Sequence, residues 1–277
     1  MSEFGHFSDP RSPAAANDHY SSLAADYARF RPHYPDELLF FLSQESKAGH
    51  DLALDCACGS GQATDRLAPY YRTVKGVDIS KAQLNEAKDA KRANITYFPG
   101  RAEEAGRVAK IEPRTVDLIT VATAFHWLDI PSFCAEAGRL LKLQGVLAHW
   151  TYTSSVLTVD DPDLRAVVDR FVNKVAPFWP QEHDGSTHAS GDLPPPYKRQ
   201  FEEIKAPEFP LTVTRTLEQF LGYVGTWSAI PHYIEANGEN PVDQLRNEIA
   251  PLWGVPWARQ RASQILYLKV FRKKADF

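Results

Sequence analysis

Leu52-Ala53-Leu54-Asp55-Cys56-Ala57-Cys58-Gly59-Ser60-Gly61-Gln62-Ala63-Thr64 is the stretch from which the fold is read. Residues 51–57 are a short apolar run with the length of a buried strand. The Gly-Ser-Gly step that follows is a turn, and residues 62–68 read as a helix. Small side chains at such a turn let a ligand approach the main chain, and the start of the helix offers unpaired N–H groups.

The same rhythm continues downstream. Residues 73–79 form a second strand, and Ser80 caps a helix to about residue 92, with Gln83 as the reciprocal partner of a capping box. A third strand over 95–98, a weak helix over 103–109 and a fourth strand over 115–122 follow. Pro131 sits early in a helix whose face is Phe133, Ala137, Leu140 and Leu141 and which ends near Gly145; residues 146–152 are a fifth strand. Strands alternating with helices at this spacing predict a parallel sheet covered on both faces.

Upstream, residues 1–16 are rich in Ser, Asp, Pro and Ala and read as a flexible N-terminus. From Asp18, Tyr20, Leu23, Ala24, Tyr27 and Phe30 make one apolar helical stripe, stopped by Arg31-Pro32-His33-Tyr34-Pro35; a second helix covers 37–46. After Ser155 the alternation breaks. A helix over 160–175, a Pro-, Gly-, Ser- and His-rich loop over 177–196, one or two strands over 201–216, helices over 217–225 and 240–252, and a late strand over 264–272 are expected. The fold class is therefore α/β: a Rossmann-like, seven-stranded, mostly parallel sheet with helices on both faces, its last two strands a hairpin, and a helical cap.

Composition narrows the function. The 277 residues are 43% hydrophobic and 24% charged, with a net charge of −4, which is ordinary for a globular chain with a real core. A weakly acidic surface does not attract phosphate broadly, so neither nucleic acid nor a membrane is the expected partner. Arg272-Lys273-Lys274 reads as a solvated strand end. No apolar run reaches the about 18 residues of a membrane span, and the first residues lack the pattern of a signal peptide. Cys56, Cys58 and Cys134 fit neither a disulfide framework nor a zinc site, so a cytoplasmic protein with reduced thiols and no metal is expected.

Asp78 ends the second strand, 17 residues after Gly61, where a carboxylate accepts hydrogen bonds from ribose hydroxyls. NAD and S-adenosylmethionine are the candidates. Gly59-x-Gly61-x-x-Thr64 puts a β-branched residue where a dinucleotide site wants a small one, and Asp55 suits a ligand with a cationic amino-acid end better than a pyrophosphate. His126 is the candidate catalytic residue, as a base or substrate contact, because imidazole titrates near neutrality. Trp127 reads as pocket wall, His183 and His188 as solvated loop residues, and Cys56 and Cys58 as packing.

The run from Leu54 to Gly61 resembles the first motif of class I S-adenosylmethionine-dependent methyltransferases. Val77-Asp78-Ile79-Ser80 resembles the second. Val116-Asp117-Leu118-Ile119 with Ala124-Phe125-His126-Trp127-Leu128-Asp129 resembles the fourth-strand motif. The His-Trp pair, the run from Tyr27 to Pro35 and Thr226-Trp227-Ser228 are similar to the trans-aconitate methyltransferase-like (type 11) branch. The resemblance spans residues 20–277 and is strongest over 52–150.

It implies S-adenosylmethionine as cofactor. Asp55, Ala57, Gly59 and Gly61 would then face the methionine part, Asp78 the ribose, Ile79 and Ala102 the adenine, and Ala122 and Phe125 the sulfonium. Residues 17–50 become an N-terminal helical lid, 51–155 the cofactor-binding core, and 156–277 the cap helices with the last strands. Two departures stand out. Ala57 replaces the family's first glycine, which suits a negative φ. Arg101 replaces the acid that meets the adenine amino group, leaving the Ala102 backbone and Glu103 for that task.

The branch further implies a small-molecule substrate and O-methylation of a carboxylic acid. Tyr20, Arg31, Trp127 and Trp227 would be substrate contacts, and one of Arg31, Arg215 and Arg259 would hold a second carboxylate. The alternatives are a cofactor-binding protein without methyl transfer, transfer to a phenolic, amine or carbon acceptor, and, more weakly, a dinucleotide oxidoreductase. A monomer or homodimer is expected.

Overall fold

A computed structural model describes residues 24–87, 92–152, 158–179, 192–255 and 257–276. The strands are β1 (Leu52–Cys56), β2 (Thr73–Asp78), β3 (Ile95–Pro99), β4 (Val116–Ala122), β5 (Leu141–Thr151), β6 (Thr158–Val159), β7 (Phe201–Ile204), β8 (Phe209–Arg215) and β9 (Gln260–Lys273). The main sheet runs β3-β2-β1-β4-β5-β9-β7, seven strands as the sequence predicts. Its first five strands are parallel, and β9 runs antiparallel to both β5 and β7.

The order reverses between β1 and β4, and ligands in such sheets sit outside the carboxyl ends at that switch point. Register puts those ends level: Cys56 lies beside Val77, Asp78 beside Pro99, and Ala122 beside Trp150. Each face of the sheet is covered. On one, Phe133, Ala137 and Leu140 of the helix Ile130–Leu140 pack on Leu54, Ile119 and Leu147. On the other, Leu38, Leu39 and Leu42 of the helix Asp36–Glu45 pack with Leu67 on Ala53, Leu118 and Val146. This is the dry interior that a parallel sheet requires.

The cap has its own core. The helices Pro162–Val175, Leu217–Gly225, Ala229–Asn237 and Pro241–Trp253 bury Phe171, Phe220, Tyr223, Trp227, Ile249 and Trp253 together. Side chains cap the starts of Pro162–Val175 and Leu217–Gly225. Asp161 Oδ1 accepts from the Asp163 and Leu164 N–H groups, and Thr216 with Gln219 forms a complete capping box.

Four expectations need correction. The helix that begins at Ile130 ends at Leu140, not near Gly145, and β5 starts at once. Gln144 takes a positive φ of 65°, and the pairing with β4 shifts between Val116 and Leu118, so Gly145 lies in an irregular strand start. The late strand runs from Gln260, four residues earlier than expected, because its first half pairs with β8 and β6 instead of β5. β8 and β9 pair antiparallel, with Arg215 opposite Gln260, but three cap helices stand between them, and the helix Ala229–Asn237 is one the sequence reading did not expect. Arg272 and Lys273 are buried, not solvated. Arg272 bonds the Glu45 carbonyl and Glu202, and Lys273 Nζ donates to the Gly138 and Leu141 carbonyls at the end of a helix.

Of the expected lid, the helix Ala24–Phe30 is described; its predicted first turns, residues 18–23, lie outside the described residues. The end of the Phe30 ring lies against the cap at Gly222, where a Cβ would come within 2.6 Å of it.

Candidate active site

The level strand ends, the helix Ala24–Phe30 with the segment after it, and the turn after β4 enclose a cleft of about 940 Å³, its mouth included. Its wall holds Ala57, Cys58, Gly59 and Gln62 from the first turn, Asp78 to Ser80 from the second, Gly100 to Glu103 from the third and Ala122 to Ala124 from the fourth. Tyr27, Tyr34, Ala63, Gln83, Trp127 and Leu128 complete it. The predicted Ala57, Gly59, Asp78, Ile79, Ala102, Glu103, Ala122 and Trp127 are thus brought together.

Asp78 is nearly buried at the tip of β2, and each oxygen already accepts one main-chain bond. Gly59 N donates to Oδ2 and Ser80 N to Oδ1, both at 2.8 Å. Burial pushes its carboxyl up, and these two bonds pull it back. Lone pairs remain on a rigid acceptor that faces the cleft. Across from it, the Glu103 carboxylate is held by the Asp129 N–H at 2.9 Å and by Arg101 at 3.2 Å. Gln62 Nε2, on the wall, is shut off from solvent with no hydrogen-bond partner, a donor left for a ligand.

Asp55 is fully buried under the first turn and is not on the cleft wall. Thr64 Oγ1 donates to Oδ2 at 2.6 Å and Thr120 Oγ1 to Oδ1 at 2.7 Å. Burial raises its carboxyl from the ordinary value to about 6, against the pull of the two hydroxyls. It therefore ties β1, β4 and the helix Gln62–Leu67 together beneath the turn. Thr64, which spoke against a dinucleotide, is one of its two partners.

The expectation of a negative φ at Ala57 is overturned. Its φ is 51°, beside Gly59 at 55° and Gly61 at 84°, so a residue with a Cβ stands in the left-handed region on the cleft wall. Gly61 is off the wall and serves packing: a Cβ there would lie 2.5 Å from the Tyr97 hydroxyl.

The remaining candidates lie elsewhere. Phe125 is stacked on His149 at 3.9 Å between ring centres and packs into the sheet core, off the wall. His126 is also off the wall, with its ring tilted against Trp127. Trp227 is 1% exposed, inside the cap among Phe171, Trp179 and Tyr223. Arg31 is spent as a latch between lid and cap. Its Nε donates to Thr226 Oγ1 at 2.8 Å, one terminal nitrogen to the Thr226 carbonyl at 2.7 Å and the other to the Tyr152 hydroxyl at 3.2 Å. Tyr20, His183 and His188 lie outside the described residues.

Sequence reasoning missed Thr123, Tyr34, Gln62 and Gln83 on the wall. Tyr34 was in a quoted motif, but nothing in the sequence signals that Thr123 turns left-handed, at φ 56°. Among the described residues no cluster of His, Cys, Asp or Glu could hold a metal, and no helix is long and apolar enough to cross a membrane. The three cysteines are buried free thiols, pushed up by burial.

Residues 54–149 match the family model described as a methyltransferase domain. A Dictyostelium discoideum protein named as a methyltransferase is 30% identical over 239 residues, which cover 86% of this chain and 87% of the relative. A Saccharomyces cerevisiae protein named as an S-adenosylmethionine-dependent methyltransferase is 29% identical over 47% of this chain and 45% of its own length. A solved structure from Anaeromyxobacter dehalogenans, named as a type II methyltransferase, is 32% identical over 88% of this chain and 98% of its own, with a TM-score of 0.73.

Proposed function

The chain belongs to the class I S-adenosylmethionine-dependent methyltransferases, and from that premise we propose that it methylates a small molecule on an oxygen already ionised at neutral pH, a carboxylate. When bound, S-adenosylmethionine supplies an electrophilic methyl group on a sulfonium. What this chain adds is position. Asp78 would accept from the ribose hydroxyls, Ile79, Ala102 and Glu103 would border the adenine, and the main chain from Ala57 to Gly59 with the Gln62 amide would meet the methionine end. Holding both reactants in line can account for much of the acceleration in a displacement of this kind.

The observation that carries the carboxylate reading is the poverty of bases on the wall. The described wall has no histidine. Its carboxylates, Asp78 and Glu103, are tied to main-chain N–H groups at the nucleoside end. The groups nearer the end of β4 are hydroxyls and phenols, and burial pushes the Tyr27 and Tyr34 phenols above their ordinary value. Such a wall is poorly equipped to take a proton from a phenol or a carbon acid, whereas a carboxylic acid with a pKa near 4 has already lost its own.

Arg215, expected as a possible holder of a second carboxylate, is not on the described wall of this cleft. It is 5% exposed, its guanidinium lies 4.3 Å over the Tyr223 ring, and its one hydrogen bond, to the Phe30 carbonyl, is 3.5 Å long. Burial lowers its pKa, and among the described residues it rests on ring and main-chain contacts. Arg259, by contrast, donates to the Thr214 carbonyl at the surface.

Incubation with methyl-labelled cofactor and matched panels of carboxylic acids, phenols and amines tests this. Label should enter carboxylic acids as base-labile esters, at a rate that is flat between pH 6 and 9. Label confined to phenols or amines, or a rate that climbs with the ionisation of the acceptor, would contradict it.

A further inference from the structure

Thr123 is an awkward residue for its place. A β-branched side chain is rare at φ 56°, and the turn is pinned there by a 2.7 Å bond from Thr123 N to the Trp150 carbonyl. Glycine would take up this backbone with less strain and would bring no hydroxyl.

The hydroxyl is fully used. Thr123 Oγ1 donates to the Ala122 carbonyl at 2.8 Å, which leaves its two lone pairs as acceptors. The Tyr34 hydroxyl lies 3.4 Å away, and the Tyr27 phenol is close enough for Thr123 to act on it electrostatically. Tyr27 comes from the lid helix Ala24–Phe30 and Tyr34 from the segment that follows it, and all three side chains line the cleft. On its far side the same lid is fixed to the cap by Arg31 on Thr226 and by Phe30 on Gly222.

We infer that Thr123 is a positioning residue, the point on the core where the two lid phenols dock to hold the lid closed over the bound cofactor. The strained turn is what brings its hydroxyl to face the lid. The inference rests on the placement of S-adenosylmethionine in this cleft proposed above. It adds a dissociation barrier that the family assignment does not contain.

The probe is S-adenosylhomocysteine, whose association and dissociation rates are measured by stopped flow on the full chain. Thr123→Val keeps the shape and loses the hydroxyl. It should release the nucleoside at least about tenfold faster with association little changed, the worth of one or two hydrogen bonds. Thr123→Ser should stay within about threefold of the native rate, and Thr123→Gly, which relaxes the turn, should be as fast as Thr123→Val. Tyr27→Phe combined with Thr123→Val should be non-additive. Native release from Thr123→Val, or from Thr123→Gly, would overturn the inference, as would a Thr123→Ser variant as fast as Thr123→Val. Asp78→Ala separates the two claims. Lost affinity there with native release from Thr123→Val sinks the latch alone. Undiminished affinity there sinks the placement of the cofactor, and the latch with it.

Discussion

At Asp55 the fold has buried a carboxylate completely and used both its oxygens on threonine hydroxyls. With its pKa raised to about 6 from an ordinary value of 3.8, the folded protein binds this proton more tightly than the unfolded chain. Below about pH 4 the group is protonated in both states and costs nothing. Between about pH 4 and 6 the unfolded chain ionises while the folded state still holds the proton, so stability falls by roughly 3 kcal/mol and levels off above about 6. Asp55→Asn cannot ionise. Its melting temperature relative to the native protein should therefore climb between about pH 4 and 6 and level off above, and a difference that stays constant across that range would show that Asp55 has no raised pKa in the fold. Gly61→Ala forces a side chain into the left-handed region and against the Tyr97 hydroxyl. It should cost about 2 kcal/mol or more in urea unfolding. At this scale the sequence was legible where chemistry and position coincide, as at Asp78 and Gly59. It was silent where a backbone angle decides. Neither Ala57 nor Thr123 announces a positive φ, and Asp55 reads as a ligand contact until its two hydroxyl partners, one of them 65 positions away, are seen.

Among the elements, the helix Ala24–Phe30 depends on a close ring contact. Gly222 leaves room for the Phe30 ring, and Gly222→Ala would fill it while strengthening the helix Leu217–Gly225. Limited trypsin digestion should then cut after Arg29 faster than in the native protein, while the main thermal transition is unchanged or higher. Equal cutting rates would mean that the contact does not hold the lid. Trp227, quoted in a motif and expected at the substrate, belongs to the cap core. Trp227→Ala should cost about 3–5 kcal/mol. Element identities were readable from period and caps, because amphipathic stripes and capping residues are local. The junction at Leu140 was not, since an apolar helix face runs without pause into an apolar strand. The length of β9 was not readable either, because its first half is stabilised by β8, whose Arg215 is separated in sequence from its partner Gln260 by the cap helices.

Over the whole molecule, β9 is the piece that makes one body of two cores. Its residues 260–266 pair with β8 beside the cap, and its residues 267–272 pair with β5 in the main sheet. Cap and sheet should therefore melt together. Tryptophan fluorescence, which reports mostly on the cap, and far-ultraviolet circular dichroism should give coincident transitions, and two separated ones would contradict the shared strand. The global plan was visible in the sequence, since alternating strands and helices put the ligand at the carboxyl ends of the strands, though the switch between β1 and β4 came only with the strand order. The division of labour around that place was not visible, for it brings together side chains from four strand ends and the lid.

The account turns on where the nucleoside sits, and a crystal structure of the full chain with S-adenosylhomocysteine tests that most directly. Both ribose hydroxyls should lie within about 3 Å of the Asp78 carboxylate, with the thioether sulfur beside Ala122 and Thr123. A nucleoside bound outside this cleft, or one whose ribose makes no contact with Asp78, would contradict the account.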